Sequence, residues 1–503
     1  MRWLSVKQNY FEDLTIAIYP SNLLHNFGVN GKISGSVYAC GEMEGVIPIV
    51  HGPIGCGYHY RFSARRRHYP YFNLISSELT EEDIIYGGED KLYSTIIDTY
   101  ERYNPKLILI IPSPISDIIN DDIEVVAKRA REKGINVISI KSELFSHRDK
   151  NYVRKRMAEV SKQKFGKGKN IDFDIMGCGY TEALYAMVDN VMVEQKPIQK
   201  SVNIETIGWG KHGKLVIGEV EGFLAKAGIT INSHFPSTSY ENIVTLPKTS
   251  LNIVRRLRWA KKMKEKFGTP YLQINTTGRY SGLDGICNFY MDVGKELDIA
   301  LEMEELVDEE WRNAKVQVEN DREEIKRHKV LVITRNLRSL PYLIKKYVLD
   351  YGVNISCCAA VLTDQSRKNL NIDDNILDNL LNRVKDSLNI YAPNIEFALN
   401  PDDDKLLLMS KNCDAIMGTD DFYYEKFGIP VINPIHEDIS LSFESYIRTV
   451  KRIRDKLENI KNKPDLILNY FDFDRNNYLI LDDKNIKSSR EMWNRMWLNR
   501  KDG

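Results

Sequence analysis

The stretch Val330-Leu-Val-Ile-Thr334, the helical pattern Ser339–Tyr351 and the run Val353-Asn-Ile-Ser-Cys-Cys-Ala359 decide the fold class of this 503-residue chain. Both apolar runs are too short for a helix and rich in β-branched residues, and the segment between them repeats its apolar residues at helical spacing. That order is a βαβ unit, so the two strands are parallel and the crossover is expected to be right-handed. Apolarity that runs continuously, without alternating, means that both faces of such strands are covered. Working outward, runs of the same kind occur at Leu107–Ile111, Asn136–Ile140, Phe173–Met176, Asn203–Ile207, Tyr271–Ile274, Asp414–Met417 and Pro430–Ile432. Amphipathic patterns at Asp121–Lys133, Leu215–Ala227 and Leu251–Phe267 read as helices between them. The chain is therefore α/β, with several parallel sheets. The charged segment Lys295–Lys329 lacks Gly and Pro and reads as one long helix or a helix pair. It bridges a middle and a last region. The expected organisation is a first α/β domain over 1–200, a second over 201–325, a third, Rossmann-like, over 326–465, and a packing tail over 466–503.

Composition excludes some classes of function. Lys+Arg and Asp+Glu both total 70, so the formal charge is zero. That balance argues against nucleic acid or an acidic membrane as the main partner. The basic runs Arg65–Arg67 and Lys162–Lys169 are local. The N-terminal residues contain no apolar signal segment, and Phe11–Ile18 carries acids and is too short to span a bilayer, so a soluble cytoplasmic protein is expected. Seven cysteines, at 40, 56, 178, 287, 357, 358 and 413, form no CxxC motif. They read as reduced cytosolic thiols, with a metal role open to a subset. Cys357 and Cys358 point to opposite faces of their strand, which argues against joint metal binding. Cys178 and Cys413 read as core thiols, and Cys287 as part of a glycine-rich turn before a helix.

In open α/β sheets ligands gather beyond the carboxyl ends of strands. The apolar run Val46–Val50 leads into His51-Gly-Pro-Ile-Gly-Cys-Gly-Tyr-His-Tyr-Arg61, a turn in which glycine lets the backbone approach a bulky group. Cys56 lies between Gly55 and Gly57. Loop N–H groups and nearby Arg65–Arg67 are expected to favour its thiolate, and thiolates are the usual ligands of iron–sulfur clusters. On spacing alone, a structural or nucleotide-binding loop is the commoner meaning of one cysteine in such a turn.

The segment His51–Cys56 resembles the His-Gly-x-x-Gly-Cys turn of the nitrogenase component 1 superfamily. The resemblance continues through the Arg- and aromatic-rich run Arg61–Tyr69 and through Thr80-Glu-Glu-Asp-Ile-Ile-Tyr-Gly-Gly88. It extends to Pro112-Ser-Pro-Ile115 and Asp121-Asp-Ile-Glu124, then to Lys266-Phe-Gly-Thr-Pro270, and to Lys426-Phe-Gly-Ile-Pro430 with His436. It is dense over residues 31–135 and sparse but collinear to about residue 460.

The resemblance implies three Rossmann-like, doubly wound parallel-sheet domains around a central cavity. It also implies an iron–sulfur cluster, 4Fe–4S or larger, shared with a partner chain, and a further metallocofactor in the cavity. The partner would be a homologous component 1 type subunit or a second copy of this chain. Electrons would come from an ATP-dependent iron protein, in an anaerobic cytosol. Cys56 occupies the matching ligand position. A second ligand position falls near Asn30-Gly31, where Cys40 is the nearest thiol, and the third holds Ser113, which also reads as a simple helix-entry residue. Near Arg255-Arg256, where the family's catalytic subunit carries a cofactor-ligating cysteine, there is none. His436 is expected to line the cavity as a proton donor or ligand, or to be a hydrogen-bonded structural histidine. Arg65, Arg66 and Arg67 would hold an anionic group, or form a solvated run. Asp121 and Asp122 read as helix caps. A reductase subunit is one reading, a non-catalytic scaffold for metallocofactor assembly another, and a metal-free interaction partner a third.

Overall fold

A computed structural model describes residues 32–58, 73–140, 179–205, 210–274, 279–334, 337, 339–362, 367, 372–410, 412–418, 431–432 and 441–462. The chain divides into two compact units, residues 1–311 with 439–442, and residues 312–438 with 443–503.

The first unit carries two four-stranded sheets in which every pairing is parallel. One has the order β2-β1-β3-β4, from Val46–His51 (β1), Ile75–Ser76 (β2), Leu107–Pro112 (β3) and Val137–Ser139 (β4). The other has the order β6-β5-β7-β8, from Ser201–Glu205 (β5), Thr230–Phe235 (β6), Leu251–Val254 (β7) and Tyr271–Gln273 (β8). In the second unit Lys329–Thr334 (β9), Asn354–Ala360 (β10), Glu396–Leu399 (β11), Ala415–Met417 (β12) and Val431–Ile432 (β13) form a parallel sheet in the order β11-β10-β9-β12-β13. In each sheet the chain winds outward on one side of its first strand and then returns to the other side. The fold is thus α/β with three doubly wound, Rossmann-like sheets, and each has a topological switch point between two central strands.

The central strands are buried on both faces, as their unbroken apolarity requires. In the first sheet Val46, Val50, Leu107, Leu109 and Ile111 belong to a core shared with the helices Lys32–Gly41, Gly179–Asn190 and Leu257–Phe267. Ile49, Ile108 and Ile110 point the other way, onto Leu92, Ile96, Val126 and Ala130 of the helices Glu89–Tyr103 and Ile123–Glu132. The first core also takes in Phe235 and Val254, so one apolar layer joins both sheets of this unit.

Most strands expected from apolar runs form within two residues of their expected ends; Phe173–Met176 and the tail 466–503 lie outside the described residues. Leu251–Phe267, expected as one helix, is instead β7 followed by the helix Leu257–Phe267. The backbone N–H groups of Arg255 and Arg256 both donate to Glu205 Oε2, each at 3.0 Å, so they are not free for a helical ladder. Lys295–Lys329 holds one long helix, Ala300–Ile325; the preceding helix Gly282–Glu296 ends at the start of the segment, and Asp298 takes a positive φ of 57° between the two. No helix among the described residues is long and apolar enough to cross a membrane.

Glu205 anchors the carboxyl edge of the second sheet. It is fully buried, pairs with the Arg256 guanidinium and also accepts Trp259 Nε1–H at 2.9 Å. The Arg256 guanidinium in turn lies 4.1 Å from the centre of the Tyr180 ring. Removing one member of such a buried pair strands the other charge, at a cost of about 3–5 kcal/mol. Glu205→Leu is expected to lower stability by that amount, read as a fall in the urea unfolding midpoint; an unchanged midpoint would show that the pair contributes nothing.

Candidate functional site

The first switch point lies between β1 and β3, whose last residues His51 and Pro112 are in register. Beyond them the chain forms two short turns that touch. Ser113 N–H donates to the His51 carbonyl at 3.1 Å, and Ser113 Oγ sits where a Cβ on Gly52 would be. That same added Cβ would lie 3.7 Å from Cys56 Cβ. Position 52 therefore admits only glycine, and both Ser113 and Cys56 border the space that its side chain would fill. Cys56 rides on a helical turn over residues 54–58, its N–H donating to the Pro53 carbonyl at 2.9 Å. A Cβ on the neighbouring Gly55 would meet only open space.

His51 fixes this geometry. The ring is fully buried, with Nδ1 2.9 Å from Ser77 Oγ and Nε2 2.8 Å from Asp121 Oδ2. Asp121 Oδ1 accepts Gly88 N–H at 2.9 Å, and Ser77 Oγ accepts Gly52 N–H at 3.0 Å. A Cβ on Gly88 would lie 2.6 Å from Asp121 Oδ2 and 2.7 Å from Leu79 Cδ2, so the turn must be glycine to close on the carboxylate. Burial holds His51 below the ordinary imidazole range, outweighing the opposing pull of Asp121. The neutral ring donates from Nε2 to Asp121 and accepts the Ser77 hydroxyl at Nδ1, the arrangement that gives every donor an acceptor. One side chain thus ties together the end of β1, the loop after β2, the Gly87–Gly88 turn and the loop after β3. Asp121 was expected to cap a helix. Asp122, also expected as a cap, does cap it, accepting Val125 N–H at 3.1 Å, while Asp121 reaches back to the histidine.

The sequence-derived candidates fare differently. Cys56 is half-buried, and burial pushes its thiol up, opposite to the expectation from loop dipoles. Cys40 lies on the helix Lys32–Gly41 in the apolar core, where burial pushes its thiol far up. Ser113 is buried and caps the short helix Pro114–Ile118, its Oγ accepting Ser116 N–H at 3.3 Å. Cys287 sits within the helix Gly282–Glu296, not in a turn before it. Arg65, Arg66, Arg67, Cys178 and His436 lie outside the described residues. Among the described residues no three of His, Cys, Asp or Glu converge as a metal site. Among the described residues here, an iron–sulfur group would find one partly open thiol, Cys56, which packs partly against the apolar core next to open space at Gly55, and one buried hydroxyl, Ser113, already used in a cap.

Large apolar side chains stand in solvent on the segments that follow β1, β2 and β3: Ile54 (62% exposed), Tyr58 (66%), Ile85 (73%), Tyr86 (83%) and Ile118 (66%). Sequence reading quoted His51, Gly88 and Asp121 as parts of motifs but missed that they bond to one another. Their joint presence after successive strand ends was the available signal. It also missed Glu205, the acid that closes the fully buried strand β5.

The family model described as Nitrogenase component 1 type Oxidoreductase matches residues 32–171 and 175–458. The chain is 28% identical over 339 residues to the nitrogenase iron-molybdenum cofactor biosynthesis protein NifE of Clostridium pasteurianum, covering 63% of this chain and 67% of that protein. It is 27% identical over 287 residues to the nitrogenase molybdenum-iron protein alpha chain of the same organism, covering 54% and 48%. These alignments and that to NifE of Methanococcus maripaludis span 48% to 67% of the relatives' lengths. The solved structure described as "Nitrogenase Cp1 at pH 6.5" shares the fold, with a TM-score of 0.56 and 17% identity over 87% of this chain and 90% of that one. With most of its length matched, and with the shared turn built on the first switch point of a doubly wound sheet, the chain belongs to the nitrogenase component 1 type oxidoreductase family.

Proposed function

We propose that this chain is one subunit of a nitrogenase-like two-component reductase. Through Cys56 it would hold an iron–sulfur cluster, 4Fe–4S or larger, shared with a homologous component 1 type subunit or a second copy of itself. Electrons would come from an ATP-dependent iron protein. The observation that carries this reading is Cys56, partly open on a turn at the β1/β3 switch point, next to open space at Gly55 and among exposed apolar side chains. Apolar groups of that size, clustered at one edge of a sheet, mark a surface that another protein covers. The cluster, when bound, supplies low-potential one-electron transfer.

This chain's residues have separable tasks. Burial keeps the Cys56 thiol protonated, so ligation releases its proton, and a metal cation is the charge that can hold the sulfur as thiolate. His51 and Asp121 hold the backbone on which Cys56 rides. Ile54, Tyr58, Ile85, Tyr86 and Ile118 would be covered by the partner and keep water from the sulfur. Cys40, enclosed in the core, is left out of the ligand set. Arg65, Arg66 and Arg67 as anion holders, and His436 as a cavity residue, are assigned from the sequence resemblance alone.

A second reading, a non-catalytic scaffold for metallocofactor assembly, is favoured by two observations. The relatives of highest identity cited above include a cofactor biosynthesis protein. The Arg255–Arg256 segment, where the resemblance looks for a cofactor cysteine, is occupied by the pairing with Glu205. Turnover that requires both ATP and the electron-donor protein supports the reductase; assembly of a cluster and its transfer to an acceptor, without turnover, supports the scaffold.

Two measurements test the site. In the complex purified anaerobically, Cys56→Ala should remove most of the iron and acid-labile sulfide while Cys40→Ala retains it; full iron in the Cys56 variant would sink the ligand assignment. His51→Leu should cost about 1–3 kcal/mol by leaving Asp121 and Ser77 without their partner. It should also change the pH dependence. Folding lowers the His51 pKa from its ordinary 6.5, so the unfolded chain binds the extra proton first as pH falls. The wild-type contribution is therefore complete above that value and shrinks as pH drops from it towards the lowered folded pKa. Urea midpoints measured on both sides of the ordinary value should show this slope in the wild type and its loss in His51→Leu. Identical slopes would place the titration elsewhere.

A further inference from the structure

The third sheet holds a pair of sulfurs that the proposed function does not use. Cys357 lies in β10, and Cys413 lies two residues ahead of β12, strands on opposite sides of β9. Their Sγ atoms are nevertheless 3.5 Å apart. They meet at the end of the helix Asp403–Ser410, where the Met409 carbonyl lies 3.2 Å from Cys357 Sγ and 3.4 Å from Cys413 Sγ. Ser356 Oγ is 3.1 Å from Cys413 Sγ. Neighbours in a regular strand point to opposite faces, yet Ser356 and Cys357 both reach this sulfur, because the β9–β10 register shifts between Ile355 and Cys357. The pair packs against Leu331, Ile333, Ala359 and Met409, and the charges of Asp414 and Lys329 act on Cys413. Cys358, one residue on, is fully buried outside this cluster.

Two thiols can pack together as inert core groups, but three features separate this pair from that case. Cys413 is half-buried, so a small reagent can reach it, whereas Cys357 is enclosed. Cys413 sits in the turn between a helix and β12, outside the strand ladder, so its sulfur can move without breaking the sheet. Hydrogen bonds from Cys357 and Ser356 hold the Cys413 thiol low against the effect of burial, which makes it the nucleophilic member.

We propose that Cys357 and Cys413 form a dithiol–disulfide site that a low-molecular-weight disulfide closes. The Cys413 thiolate attacks one sulfur of the small disulfide, making a mixed disulfide and releasing the other half as a thiolate. That thiolate takes up the proton lost from Cys357. The Cys357 sulfur then attacks Cys413 Sγ, forming the protein disulfide and expelling the second small thiol, which takes up the proton originally lost from Cys413. Two protein thiols are oxidised and one small disulfide is reduced to two thiols, with no other reactant needed. The sulfurs must close from 3.5 Å to about 2.0 Å.

The test uses the full-length protein, reduced, freed of reductant anaerobically and incubated with oxidised glutathione. Remaining thiols are then alkylated under denaturing conditions, and the unreduced digest is mapped by mass spectrometry. The expected product is a Cys357–Cys413 cross-linked peptide pair lighter by two hydrogens, abolished by dithiothreitol, retained in Cys358→Ser and lost in Cys413→Ser. Recovery of Cys357 and Cys413 both alkylated in the wild type would overturn the proposal. So would a glutathione adduct on Cys413 that persists without passing to Cys357. Because the decisive measurement is on the unaltered chain, a variant that fails to fold does not affect it.

Discussion

A neutral histidine, sealed in the protein and shared between a serine hydroxyl and a carboxylate, is the contact on which the first sheet's carboxyl edge depends. His51 bonds Ser77 and Asp121, Asp121 bonds the Gly88 N–H, and Ser77 takes the Gly52 N–H. The loops after β2 and β3, and the Gly87–Gly88 turn between two helices, are thereby locked to the turn that carries Cys56. No other described contact spans all of them. The buried carboxylate is tolerable because each of its oxygens has a donor. The glycines at 52 and 88 are required because Ser113 and Asp121 occupy the space of their missing side chains.

The same winding recurs in the second sheet, which has the same strand order but a different filling at its switch point. There a buried glutamate gathers two backbone N–H groups, an indole and a guanidinium. The first edge keeps open space beside a thiol, and the second is closed by its own charges. A fold that offers equivalent crevices leaves their chemistry to the few residues beyond each strand end. Among the described residues of this unit, the first crevice is the one with both a candidate ligand and an exposed apolar surround.

Among the cysteines, burial separates roles that composition cannot. Cys40 and Cys358 are enclosed by apolar side chains, which favours the neutral thiol. Cys56 is partly open at a loop, and Cys413 is partly open beside another sulfur. The sequence reading set Cys357 and Cys358 on opposite faces of their strand and took Cys413 as a core thiol, without linking it to either. The fold separates the first two across a sheet and joins Cys357 to a residue far along the chain, at the end of a helix that no local pattern links to it.

The α/β class, the parallel pairing, most strand positions and the turn carrying Cys56 were legible in the sequence, because each depends on local period, strand length or a motif of a few residues. Short or partly polar strands such as β2, β6 and β11 were not, since their pairing comes from neighbours and not from their own apolarity. The split of Leu251–Phe267 was hidden for a related reason: a helix there would need backbone groups that Glu205 takes from another strand. The roles of Asp121, Glu205 and Cys413 were decided only in three dimensions. A hydrogen bond or sulfur contact between residues dozens of positions apart depends on strand order and register, and those are settled by how the whole sheet buries its two faces.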